Sequence, residues 1–444
     1  MATTPQQIDP DLQTGQQYLS AGMFDRAEPL FRAAHGRYGD RPDILHALAA
    51  CAAGRGALGD AADLWRKAIA KDPNEPMLSF NLGIVMRRMG HLDEAARRFR
   101  DAIRRKPEHI EARLALASIH IDQGKFTAAE RELSDIAFNL DRAIEQPDGA
   151  GLRPLQARTR NMLGHILYRL GHFDSAIEVL DMALKDAGDD QRRRAQILGD
   201  RALALGGLHH HDEAISQARQ ALELWADNPS LNHVLGFVLY FAGKVSEAIP
   251  PIENALVLMP GFPAALRTLA LAQKAAGRTD AAADALRKAI GYNPRDRDAV
   301  LQLSMLQLEA EQFDAAIATL APYLEKMPDD IRALNNHALA LRGLKRFEEA
   351  RRALKRASRH ATDDPLVLTN LGRVLLDLGR AAEARPLHEH ALRSMPGNST
   401  LLTHYGICLA ALGDKDRARE TLDAALAADP DNKEALAAVS ELYA

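Results

Sequence analysis

Small residues and prolines recur along this chain at fixed distances, and that recurrence restricts it to one kind of body. From Gly83 the landmarks that follow are Gly90, Ala95, Phe99, Ala102 and Pro107. The same walk from Gly236 meets Gly243, Ala248, Ile252, Ala255 and Pro260, and from Gly406 it meets Gly413, Ala418, Leu422, Ala425 and Pro430. The unit is about 34 residues long, and at such a period each segment is one supersecondary element that buries its apolar side only on its neighbours. Helical hairpins stacked in a line satisfy this, and function then has to be sought on a long surface.

Repeat starts fall at Ile8, Pro42, Pro76, Ile110, Ala157, Ala195, Pro229, Pro263, Arg297, Ile331, Pro365 and Ser399, which makes twelve hairpins. A last amphipathic helix from Lys433 to Ala444 is expected to cap the stack, showing Lys433, Glu434 and Glu441 to water. The register slips between Asp135 and Ala157, where a helical stretch is followed by the turn Pro147-Asp148-Gly149-Ala150-Gly151. This divides the expected organisation into an N-terminal arm of about four repeats (1–145), an inserted elbow (146–156), an eight-repeat arm (157–432) and the cap (433–444). The elbow reads as a surface protrusion, or as a hinge or partner contact between the arms. A smaller slip lies around Asp189 to Arg194.

Each recurrent slot has a mechanical reason. Small side chains such as Gly83 and Ala95 let the two helices of a hairpin cross closely. The large residue four positions after the first Ala, as in Trp65, Phe99, Leu133, Ile252 and Leu422, fills the space between helices. Pro107, Pro260 and Pro430 stop second helices. The chain is 47% hydrophobic but only 5% aromatic, an Ala- and Leu-rich mix suited to helices, and no run alternates like a strand. Cys51 and Cys408 occupy matching slots ten repeats apart, too far for a disulfide, and read as core thiols.

These spacings over essentially the whole chain resemble the tetratricopeptide repeat. The resemblance implies an all-α, right-handed α-solenoid superhelix in which first helices line a concave face and second helices a convex one. It also implies a groove that receives an extended peptide or a partner's helix. The stretch from Ala195 resembles the long superhelices attached to protein O-glycosyltransferases and bacterial glycan machinery, although here no transferase domain follows.

Groove candidates are first-helix residues on the face away from the hairpin core. Three hairpins are rich in them: Asn161, His165, Tyr168 and Arg169; His233, Phe237, Tyr240 and Phe241; and Arg267, Leu271 and Lys274. Between these, Gly199, Leu203, Gly206 and Gly207 are small enough to leave a hollow. Aromatic faces beside cationic heads suit a peptide with apolar and acidic side chains. A second, polar strip runs through Asn335, Asn336, Asn370 and Arg373, where amides can pair with a bound backbone. The asparagine ladder of the glycosyltransferase-linked superhelices is matched at Asn81, Asn336 and Asn370 and broken at Ala47, Ala115, Val234 and Gln302.

Other signals carry less. Gly54-Arg55-Gly56-Ala57-Leu58-Gly59 has the letters of a dinucleotide fingerprint, but a helix and not a strand precedes it. His209, His210 and His211 sit adjacent in a turn and point different ways, so no metal is expected. Arg351, Arg352, Lys355, Arg356 and Arg359 form a basic stripe on one second helix, with no interleaved aromatics to stack nucleobases. The net charge of −4 gives no bulk preference for nucleic acid. No apolar run is long enough to span a membrane or serve as a secretory signal, and a cytoplasmic location is expected. No catalytic set, cofactor motif or metal motif is found.

The expected function is therefore a non-enzymatic scaffold or adaptor that binds a protein or peptide in its groove, with self-association through its ends as a further possibility. The alternative is a targeting arm for a glycosyl- or sulfotransferase system.

Overall fold

The computed structural model describes residues 9–443. Ile8, the expected first repeat start, and Ala444, the expected last residue of the cap, lie outside them. Among the described residues there are twenty-five α-helices and no strand. Twenty-four of the helices pair in sequence into twelve hairpins, from Pro10–Ser20 with Phe24–Tyr38 to Ser399–Ala411 with Lys415–Ala428, and Lys433–Tyr443 follows. The helices group into two compact units, one ending at Ala226 and one beginning at Asp227. Each holds six hairpins.

Glycine sets the closeness of the helix crossings. A Cβ on Gly83 would stand 2.6 Å from the Phe99 ring, and one on Gly236 would stand 2.3 Å from Ile252 and 2.9 Å from the Ala248 carbonyl. Where the slot is glycine, the large residue of the second helix therefore rests on the backbone of its partner helix, and packing at this density leaves no room for a methyl group. Between successive hairpins the same device recurs, with the Phe313 ring lying over Gly343. First helices begin on a capping side chain. Asn228, Asp296, Asp330 and Asn398 accept from the backbone N–H three residues on, satisfying donors the helix itself cannot.

The slips in register are absorbed as extra helical turns. Phe126–Ile144 has 19 residues where a standard second helix such as Phe173–Asp186 has 14, and Arg153–Leu170 has 18 where a standard first helix such as Pro229–Phe241 has 13. A 3₁₀ turn, Gly149–Leu152, joins them, and the Gly149 Cα sits so near the Ala143 carbonyl that a Cβ would be 2.1 Å from it. This elbow lies inside the first unit and is tied to its neighbours by polar bonds. Gln156, fully buried, donates to the Ala137 carbonyl (3.0 Å) and to Asp141 (2.8 Å), while Arg160 bridges Asp141 (2.6 Å) and Asp186.

Cys51 and Cys408 are free thiols with no exposed surface, and burial pushes both up to about 11. At neutral pH they are protonated core residues. In the second unit, Lys433–Tyr443 packs on both helices of the last hairpin. Its attachment is polar as well, because Glu434 takes the Arg373 guanidinium at 2.5 Å.

Candidate functional site

In the first unit, the sequence-derived candidates of the fifth hairpin are engaged with their own neighbours. His165 hydrogen-bonds Asp200 at 2.9 Å. Burial opposes charge on that imidazole, yet the hydrogen bond to Asp200 and the charge of that carboxylate together outweigh it and the pKa is raised. Tyr168 packs against the rings of His165 and Phe173, and the Arg169 guanidinium lies over Phe126, 4.6 Å from its centroid. Asn161 keeps a buried side-chain oxygen with no partner among the described residues. The hollow expected beside Gly207 is filled instead, since the Phe173 ring would stand 2.5 Å from a Cβ there. Small residues admit the neighbour's bulk here; they do not leave space.

In the second unit, the candidates of the seventh and eighth hairpins form an aromatic seam. Phe237 lies 4.6 Å from Phe241 and 6.0 Å from His233, Tyr240 meets Phe241 edge-on, and Phe262, which sequence reasoning had missed, packs 5.1 Å from His233. His233 hydrogen-bonds Thr268 at 2.9 Å, and burial with nearby Arg267 holds its pKa down to about 4. Phe241 remains 53% exposed. Arg267 is paired with buried Asp296 at 2.5 Å and Lys274 with Glu309 at 2.7 Å. Arg373, one of the polar-strip candidates, holds Glu434 and also touches His404, so three of the four cations expected to greet a ligand (Arg169, Arg267 and Arg373) are committed to structure. Their partners come from other repeats, which spacing within one repeat does not show.

A larger opening lies further along the same face. First helices of the eighth to eleventh hairpins enclose a groove of about 610 Å³. In Arg297–Glu309 the buried face is Ala299, Val300, Leu303, Ser304, Leu306 and Gln307, which turns Leu301, Gln302 and Met305 into the groove. The next helix repeats the placement one period later. Asn335, Asn336 and Leu339 take the slots of Leu301, Gln302 and Met305, and Asn370 continues the amide slot on Pro365–Asp377. The floor is thus apolar, with Met305 42% and Leu366 59% exposed, and an amide strip runs along it.

Bonds across the repeats hold that strip in place. Fully buried Ser304 accepts from the Asn336 amide at 3.0 Å, and Asn335 accepts from the Asn370 amide at 2.7 Å. Gln302 has a buried side-chain oxygen with no partner among the described residues. A buried acceptor left open costs free energy until a donor arrives. The rim is fixed by Arg297, which pairs with Asp330 at 2.5 Å, while Tyr323 donates to the same carboxylate at 3.0 Å. Burial and this carboxylate push the Tyr323 phenol up to about 12. Arg332 and Asp298 line the groove without a salt bridge among the described residues. Leu271, Lys274, Asn335, Asn336 and Asn370 are the sequence-derived candidates that this groove brings together. Leu301, Gln302, Met305, Arg332 and Leu339 were missed; their signal was the recurrence of one slot, weak in each residue taken singly.

Tetratricopeptide-repeat family models match residues 12–76, 86–146, 157–185, 273–340, 329–396 and 375–442. The chain belongs to the tetratricopeptide-repeat family. As a tetratricopeptide-repeat chain it is a protein-interaction scaffold. It is 24% identical over 163 residues to the TPR repeat-containing thioredoxin TTL4 of Arabidopsis thaliana, a match over 36% of this chain and 23% of that protein. It is 26% identical over 127 residues to the cytochrome c-type biogenesis protein CycH of Bradyrhizobium diazoefficiens, over 29% of this chain and 32% of that one. The matches thus span only about a quarter to a third of these curated relatives. Among solved structures, the APC/C hetero-tetramer Cut9-Hcn1 contains a chain that is 14% identical with a TM-score of 0.47, covering 98% of this chain and 97% of that one. A tetratricopeptide repeat protein from Parabacteroides merdae is 17% identical with a TM-score of 0.45, over 57% of this chain and all of that one. Among the described residues no helix is long and apolar enough to cross a membrane.

Proposed function

We propose that this tetratricopeptide-repeat chain is a non-enzymatic adaptor that holds an extended segment of a partner protein in the groove of its second unit. The observation that carries the reading is the groove's composition. Apolar side chains from three successive repeats offer pockets for alternate residues of a strand-like peptide, and the amide strip beside them can pair with its backbone. The open acceptor of Gln302 suits a backbone N–H, and Arg332 suits an acidic side chain of the guest. A cytoplasmic location belongs to the same reading, and cell fractionation checks it.

A photo-crosslinking residue at Met305 of the full chain, used in the native cell, tests the proposal. A discrete partner should be trapped there, and the double substitution Leu301→Asp with Leu339→Asp should abolish it while leaving the fold intact. Tyr240→Ala with Phe241→Ala should leave the yield unchanged. If the aromatic pair removes the adduct and the groove pair does not, the ligand sits on the aromatic seam and the reading fails.

A further inference from the structure

Most charge in the groove is already matched by the chain itself. The ionisable side chains lining it are Lys274, Arg297, Asp298, Arg332 and Asp364. Lys274 is held by Glu309 at 2.7 Å and Arg297 by Asp330 at 2.5 Å. The Asp364 carboxylate accepts from the backbone N–H groups of Leu366 and Val367, at 2.9 and 3.1 Å. Asp298 and Arg332 are left over, both exposed and neither with an ion-pair partner among the described residues. Arg297 lies within electrostatic range of Asp298, but Asp330 already holds it.

The two that remain occupy one slot. Asp298 and Arg332 are each the second residue of their helix, Arg297–Glu309 and Ile331–Gly343, and Leu366, 59% exposed, is the second residue of Pro365–Asp377. Four cross-repeat bonds of this unit join neighbouring slots rather than equal ones. His233 with Thr268, Lys274 with Glu309, Asn335 with Asn370 and Arg342 with Asp377 all step by 35 residues. Asp298 and Arg332 are 34 residues apart. Equal slots stand one helix spacing apart, roughly 8–10 Å for packed helices, and a salt bridge closes only within about 4 Å. Two opposite charges are thus held open, in line with an apolar side chain.

An extended guest lying across the three helices meets a carboxylate, a guanidinium and a leucine in that order. As a strand it returns a side chain to one side every ~6.8 Å, and as a polyproline helix every ~9 Å. Guest residues two or three apart therefore fall beside successive helices. The matching segment sets a base beside Asp298, an acid beside Arg332 and an apolar residue beside Leu366. A guest running the opposite way presents the same three in reverse, and in both directions the acid is the middle one.

Resting on the ligand site set out above, we propose that the groove selects partner segments by charge order. The class it takes has an acidic side chain flanked, two or three residues away, by a basic one on one side and an apolar one on the other. Asp298 and Arg332 are the specificity-determining residues, while Leu301, Met305 and Leu339 supply contact area that is indifferent to order.

A random peptide library displayed on phage, panned at low salt on the full chain carrying a photo-crosslinking residue at Met305, tests this. Peptides trapped at Met305 should carry the acid in the middle position. The double reversal Asp298→Lys with Arg332→Glu should trap peptides with the base in the middle and the acid outside. Exchanging the two charges within one selected peptide should weaken its binding to the unaltered chain about tenfold, because two exposed pairs become repulsions. The reversed chain should prefer the exchanged peptide, an inversion that misfolding cannot imitate. Both preferences should fade at about 1 M salt, where screening acts within about 3 Å. Trapped peptides with no common charge order, or equal affinity of the selected and exchanged peptides for the unaltered chain, would overturn the proposal and leave the groove as the ligand site. If no peptide is trapped at Met305, the ligand site itself is wrong and the charge order falls with it.

Discussion

The first helix of the eighth hairpin and those of the ninth and tenth put side chains into the same repeat slots, yet the slots meet opposite fates. Arg267, Leu301 and Asn335 stand one period apart. Arg267 is consumed by Asp296, whose side chain is 6% exposed and also caps the following helix. Leu301 and Asn335 face the groove with room beside them. A slot therefore decides which way a residue points, and its neighbour in the next repeat decides whether it is free to bind. Surface position and availability are separate properties in a solenoid.

The contrast can be broken most directly at the two arginines. Arg267→Ala strands a buried carboxylate and should lower the unfolding free energy by about 3 kcal/mol, whereas Arg332→Ala should change it by less than about 0.5 kcal/mol. Denaturant titration checks both, and equal losses would erase the distinction.

His388 extends the comparison to a slot that other repeats give to Leu or Phe. It has no exposed surface, both ring nitrogens lack partners among the described residues, and its edge rests on Gly372. Burial first, then the neighbouring His404 and Arg373, hold its pKa down to about 3. The folded chain resists protonating it while the unfolded chain accepts a proton near pH 6.5, so stability is full above pH 6.5 and drains as pH falls toward 3. Between pH 8 and pH 5 the loss from this group should be about 2 kcal/mol. Thermal melts of His388→Leu should lack that share of the acid sensitivity. Equal slopes in the two proteins would mean the imidazole finds solvent.

A small effect is also expected at Lys274. Its pair with Glu309 joins side chains 46% and 51% exposed, so Lys274→Ala should cost well under about 1 kcal/mol. A larger loss in denaturant titration would mean that groove-edge charges matter to folding as Arg267 does.

The hairpins were legible in the sequence because their signals are local: a glycine under Phe99, a proline after many of the second helices, a period that holds from Ala195 to the capping helix. Even the irregular stretch between Asp135 and Ala157 could be read as longer helices around a turn, since Pro147 and Gly149 punctuate it. The site was less legible. Sequence spacing put Arg373 on the ligand face, but nothing within its repeat says that Glu434 will claim it from the capping helix. The aromatic cluster stood out by residue type, though much of its surface is spent on Phe262 and Thr268. Leu301, Met305 and Leu339 were overlooked because an apolar residue in a helix reads as core until the packing of its other face is known.

Most turns between the helices of a hairpin place glycine in the left-handed region. Among the described residues, His209, Glu311 and Lys345 adopt it with side chains, at φ of 62°, 55° and 59°. Such a residue carries on the order of 1 kcal/mol of backbone strain. Two of these turns, at Glu311 and Lys345, belong to the ninth and tenth hairpins, which form the middle of the groove. The solenoid thus keeps two of its three least relaxed corners in the hairpins whose first helices form the middle of the groove. Amide hydrogens there should exchange sooner than their counterparts at Gly277 and Gly379, and glycine at either position would trade that compliance for heat resistance.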